Sequence, residues 1–166
     1  MKFINRIILS IIVSSIALVW ACGGNTATAP SAPAGIDALR TSLAPYASLN
    51  LAKSAGYNTA LTDCMSNGDL GAMGVHFGNT ALIDATVDAN RPEVLIYEPG
   101  LNGDMSLVGV EFVIPFTAIP KTATAPTLFG QSFIPNDVFG LWTLHVWTQR
   151  ANPNGLFAEW NPRVHC

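Results

Sequence analysis

The chain predicts an α+β domain that is mainly β: an antiparallel sheet, open or rolled into a small barrel, with an N-terminal helical region packed on it. Three observations carry this reading. Apolar residues recur at helical spacing only between residues 36 and 60. From residue 64 onward they alternate in short runs bounded by glycine, proline and asparagine. Asn102-Gly103, set between two such runs, is the strongest hairpin signal in the chain.

The domain does not begin at Met1. Lys2 and Arg6 precede an apolar run from Ile7 to Trp20, the layout of a bacterial secretion signal. The run is too short and wrongly flanked for a stable membrane span. Val19-Trp20-Ala21-Cys22 then resembles the lipobox of bacterial lipoproteins, in which cleavage leaves a lipidated cysteine. Residues 1–21 are therefore read as a signal peptide and Cys22 as the lipidation site. Ordinary cleavage near Ala21, giving a soluble secreted product, is the alternative. Residues 22–35 contain GGNTATAPSAPAG, too small and polar to bury a core, and read as a tether that holds the domain off a membrane. A single domain over residues 36–166 follows.

Charge narrows the partners. The whole chain has eight basic and eleven acidic residues. Without residues 1–21, which hold Lys2 and Arg6, six basic side chains face the same eleven acids, a net charge of −5. Nucleic acid, which requires concentrated Lys and Arg, is not an expected partner. The expected partner is a membrane, reached through the lipid anchor, and the expected location is the cell envelope.

With Cys22 lipidated, Cys64 and Cys166 remain as a pair. An exported chain meets an oxidising compartment, so a Cys64–Cys166 disulfide is expected. It would close a loop of about a hundred residues and stabilise by roughly 4 kcal/mol in the chain-entropy description. A thiol metal site lacks the CxxC spacing that would support it.

Within residues 36–60, Ile36, Leu39 and Leu43 keep helical spacing, as do Tyr46, Leu49 and the aliphatic stem of Lys53. Pro45 predicts a break, with the proline in the first turn of a second helix, and Gly56 a C-terminal stop. Strands are predicted over residues 73–77, 93–98, 106–114 and 141–149. Residues 81–87 read equally as strand or helical turn. Residues 116–137 hold Pro120, Pro126 and Pro135 and read as a long ordered arm, its aromatic residues docked on the core.

Alternation assigns faces. Val94, Ile96 and Glu98 oppose Leu95 and Tyr97. Leu107, Gly109, Glu111 and Val113 oppose Val108, Val110 and Phe112. Thr143, His145 and Trp147 oppose Trp142, Leu144 and Val146. A two-residue turn at Asn102-Gly103 would place Glu111 opposite Val94 and Glu98 opposite Leu107. The two acids then lie four residues apart, roughly 13 Å, too far to share one ion; a looser loop that slides the pairing by a few residues would bring them together.

Four residues can carry chemistry in these apolar strands: His76, His145, Glu98 and Glu111. Imidazole and carboxylate ligands suit Zn, Mn, Fe or Cu and leave positions open for water or substrate. Their irregular spacing matches no HExxH helix. His76, Glu111 and His145 are the preferred set, with Glu98 a contested fourth ligand. Acid–base chemistry by a glutamate near a histidine is a second reading; no GxSxG elbow supports a nucleophilic one. A third is a binding or structural envelope module without metal, its pocket lined by Tyr97, Phe112, Trp147 and Trp160 and closed by the proline-rich arm. In that case no cofactor is expected. No reaction is named by the residues themselves.

GAMGVHFGN (71–79), PEVLIYEP (92–99), LVGVEF (107–112), LHVW (144–147), NPNGLF (152–157) and WNPRVHC (160–166) together resemble a family of uncharacterised exported bacterial proteins. The likeness covers residues 52–166. It implies one domain over that range, with the terminal cysteine as a structural member, and implies no activity.

Overall fold

The computed structural model describes residues 31–166. The expected signal peptide, Cys22 and most of the expected tether lie outside the described residues. Helix α1 (Ile36–Ser42) starts after Gly35 and carries Asp37 in its first turn and Arg40 in its last, each at the helix end its charge favours. Ile36, Leu39 and Leu43 are fully buried on one stripe. Pro45 does break the helix, but it sits in a separate 3-10 turn, Ala44–Ala47, and not in the second helix. Helix α2 (Leu49–Ser54) follows, with Ser48 as its N-cap. It stops well short of residue 60. Gly56, at φ 102°, takes the left-handed conformation, with Gly56 N–H donating to Lys53 O and Tyr57 N–H to Ala52 O. That pair of bonds is a Schellman stop. The next residues extend into strand β1 (Thr59–Ala60).

Strands β2 (Met65–Ser66), β3 (Ala72–Gly78), β4 (Val94–Pro99) and β5 (Met105–Pro115) come next. They are followed by the small hairpin β6 (Thr127–Leu128) and β7 (Gln131–Ser132), then β8 (Ile134–Asn136) and β9 (Leu141–Val146). The main sheet runs β1-β3-β4-β5-β9-β8, all antiparallel, with β2 also paired to β3. Its path has two ends, β1 and β8, so the sheet is open. The molecule is mainly β, with its few helices laid on the sheet.

Where the sequence predicts a two-residue turn, β4 and β5 close through a longer loop. Gly103 N–H donates to Gly100 O, Gly100 N–H to Asp104 O, and Gly103 takes φ 79°. Pairing slips by one residue, so Glu98 faces Ser106 and not Leu107. A bulge between Ile96 and Tyr97 then absorbs Val108 as an extra residue. The two irregularities cancel, and Val94 faces Glu111 as the simple register predicts. The bulge also exchanges two side chains between faces. Leu107 packs with Val110 and Phe112, while Val108 joins Ile96, Ala72, Trp147 and Val164.

The first face of the sheet carries the larger apolar cluster. Leu95, Tyr97, Val110, Phe112, Leu144 and Val146 are buried there under the helical segments. The arm contributes too, as its aromatic residues predict: Phe133 is buried, and Phe129 stands edge-on to Phe112 at 5.8 Å. The arm is not structureless, however. It contains the β6–β7 hairpin, whose turn holds Phe129 at φ 52° and Gly130 at φ 75°, and β8, which adds to the sheet edge. Residues 81–87, ambiguous in sequence, contain only part of a 3-10 turn, Thr80–Leu82.

The second face is covered by the C-terminal segment. Ala72 and Asn161 exchange backbone bonds, and Val164 is fully buried. A disulfide joins Cys64 to Cys166 with Cα atoms 5.6 Å apart, which fastens this segment to the loop before β2. Gly109 allows Trp147 to lie against the sheet: a Cβ there would stand 2.9 Å from Val146 O and 3.3 Å from the indole ring.

Candidate metal centre

The second face brings three of the four chemistry-bearing residues together. Glu111 on β5 and His145 on β9 are direct cross-strand partners. His76 lies on β3, opposite Ile96, and its ring reaches across β4 toward them. His76 Nε2 is 3.4 Å from His145 Nε2. One carboxylate oxygen of Glu111 is 3.6 Å from His145 Nε2 and the other 3.8 Å from His76 Nε2. All three side chains are buried. The carboxylate contacts are too long for hydrogen bonds. They are the right size for a shared ion: two ligand atoms each about 2.0–2.1 Å from a tetrahedral metal stand roughly 3.4 Å apart. The group could hold a metal ion.

The surroundings orient the ligands. Leu61 N–H donates to His76 O, which lays the following Thr62 along the ring; Thr62 Oγ1 is 3.0 Å from His76 Nδ1. With Nδ1 protonated toward that oxygen, Nε2 presents its lone pair to the site, as a metal ligand must. Trp147 stacks beside the His145 ring, centroids 6.4 Å apart and planes within 19°.

Burial also sets the protonation. It lowers His76 to a pKa of about 4. Burial, helped by His76, lowers His145 to about 3. Glu111 moves the other way: burial, with smaller contributions from the charges of Glu159 and Glu93, pushes it up to about 8. The metal-free cluster is therefore two neutral imidazoles beside a neutral carboxyl at pH 7, not an ion pair. Neutral imidazole is the ligating form.

Glu98 is not among them. Its carboxylate accepts from the Arg150 guanidinium and from His165 N–H. It sits on β4 four residues beyond Val94, at the hairpin end of the sheet, and serves to tie down the C-terminal segment. The aromatic pocket drawn from the sequence is corrected as well. Tyr97 is fully buried on the first face, its hydroxyl donating to Tyr46 O at 2.6 Å. Trp147 is buried in the apolar cluster of the second face, its indole N–H donating to Ala158 O. Both are core residues, as is Phe112. Of that set Trp160 alone lines a cavity.

That cavity, about 630 Å³, opens directly over His76, Glu111 and His145. Loops before β3, the β8–β9 turn and residues 157–160 wall it. Thr62 and Glu159, both at this site, stand in irregular segments whose sequence carries no periodicity, and nothing local in the sequence marks them. No family model, curated protein or solved structure matches the chain. The chemistry of the site therefore rests on its geometry.

Proposed function

We propose that the chain is an exported cell-envelope lipoprotein whose domain binds one divalent transition metal through His76, Glu111 and His145. The observation that carries this is the cluster of ligand atoms at the floor of an open cavity: the two imidazole Nε2 atoms 3.4 Å apart, with one Glu111 oxygen 3.6 Å from His145 and the other 3.8 Å from His76. Two imidazoles and a carboxylate are the donor set of catalytic zinc and of non-haem iron(II), both of which keep positions free for water or substrate. Zinc, iron, manganese and copper are the ions to test. The signal-like N-terminus and the Cys22 motif support export and anchoring. The Cys64–Cys166 disulfide is in keeping with an oxidising compartment.

The test is elemental analysis of protein purified without an affinity tag and dialysed against each metal in turn. One equivalent of metal is expected, lost in His76→Ala and in His145→Ala and retained in Glu98→Gln. Folded protein that takes up none of the four ions would leave the rival reading, a binding module without metal. Export and anchoring are checked separately, by fractionation of cells making the wild type and Cys22→Ser. The wild type should partition with membranes and the variant should not.

A further inference from the structure

We infer that the cavity over the triad receives an uncharged, mainly apolar small molecule that places one donor atom on the metal. The donor-atom part rests on the metal reading above; the apolar part rests on the walls alone.

The volume, about 630 Å³, is that of a small-molecule pocket. Leu61, Met73, Ile134, Val138, Phe139 and Phe157 present its apolar surface. No lysine or arginine lines it among the described residues. Besides Glu111 of the triad, two acids do, Asp137 and Glu159. Asp137 is neutralised by Lys121, whose ammonium is 2.5 Å from its carboxylate, which leaves Glu159 as the charge that faces an incoming molecule. A phosphate or polycarboxylate would find no cation on the walls, the Lys121 ammonium at the rim being already paired with Asp137, and the Glu159 carboxylate to repel it. Only the metal itself could attract a single anionic or lone-pair donor.

The rim is a built feature. Val138 and Phe139 are 86% and 52% exposed, unusual for such side chains, yet their turn is held in place. The Asn136 side-chain oxygen accepts from both Val138 N–H and Phe139 N–H, and Lys121 clamps Asp137 beside them. A ligand seated on the triad would cover these two residues. Recognition then comes from apolar area, with the metal fixing one end of the molecule.

Calorimetry with zinc-loaded full-length protein and a series of 1-alkylimidazoles, ethyl to octyl, tests this. Affinity should rise about fourfold per added methylene. Analogues ending in a carboxylate should bind at least tenfold more weakly than neutral ones of equal length. Phe139→Asp should flatten the length dependence while leaving zinc content unchanged. In chelator-treated protein the length dependence should persist at lower overall affinity, since the walls do not require the ion. Zinc that never binds, with the length dependence intact, would remove the metal donor and keep the apolar site. Affinity independent of length in both forms, or a preference for the carboxylates, overturns the inference.

Discussion

The two faces of the one sheet are made by the same four central strands and do opposite work. On the first, the large apolar cluster includes two tyrosines whose hydroxyls find backbone carbonyls, Tyr57 on Pro92 and Tyr97 on Tyr46. On the second, an apolar cluster around Trp147 gives way to His76, Glu111, Thr143 and His145, buried beneath an open cavity. Burying polar groups without full hydrogen bonding costs free energy. The first face carries the larger apolar core, and the second sets its polar cluster at the floor of an open cavity. The covers differ too. Apolar burial holds α1 and α2 in place, whereas a disulfide fastens the C-terminal segment over the second face.

The sharpest way to break this division is to damage the first face. Phe112→Ala removes a fully buried ring and should destabilise by about 3–5 kcal/mol, read from urea unfolding. Metal stoichiometry of the remaining folded protein should not change. If metal affinity fell in step with stability, the two faces would not be separable. Next in size is the disulfide. Cys64→Ser with Cys166→Ser should cost about 2–4 kcal/mol. It should also raise hydrogen exchange in residues 157–165 and around the cavity more than in α1 or α2. Uniform loosening of the whole domain would count against a cover specific to the second face.

How far the sequence discloses each face follows the same division. Alternation identifies the four central strands to within a few residues and assigns Leu95, Tyr97, Leu144 and Val146 to one side, because those residues pack against other regular elements. It also puts Glu111 and His145 on the other side, where cross-strand pairing brings them together. It fails where a single residue changes the count. The three-residue loop at Leu101–Gly103 and the bulge at Val108 each shift the register by one, and neither leaves a period-2 signature. Strand β8 is hidden by Pro135 and its three-residue length. Glu98 looks equivalent to Glu111 in sequence, since both sit in apolar runs; their separation depends on Arg150 and the chain's last residues, far along the sequence.

A smaller effect, of opposite sign, would sharpen the comparison. Glu111 makes no hydrogen bond of normal length to either histidine, and burial pushes its carboxyl up to about 8. Glu111→Leu should stabilise chelator-treated protein by about 1–3 kcal/mol and abolish metal uptake. A destabilised variant would mean that the carboxyl contributes to the fold.

The smallest effect separates Glu111 from the other buried acid. Glu93, where β4 begins, is 1% exposed, but its carboxyl accepts from Val113 N–H at 3.0 Å. Pro92 precedes it and its carbonyl is taken by Tyr57, so the Glu93 side chain supplies an acceptor that Val113 uses at this end of the ladder. Burial outweighs that bond and raises Glu93 from about 4.5 to about 7, with Asp84 and Asp88 adding to the rise. A carboxyl raised on folding keeps its proton longer in the folded state. Its stabilising contribution is complete below about pH 4.5 and is lost as pH rises through about 7. Glu111 has the same sign, with its loss extending to about 8. The histidines have the opposite sign, since theirs is present above about 6.5 and lost as pH falls toward 4 and 3. Differences between wild type and Glu93→Gln cancel the histidine contributions. The urea midpoint of chelator-treated wild type minus that of Glu93→Gln, which keeps an acceptor for Val113, should therefore fall as pH rises from 5 through 7 and level off toward pH 8. A difference that stays constant over the whole range would show that Glu93 is ionised in the folded protein and held by its backbone bond after all.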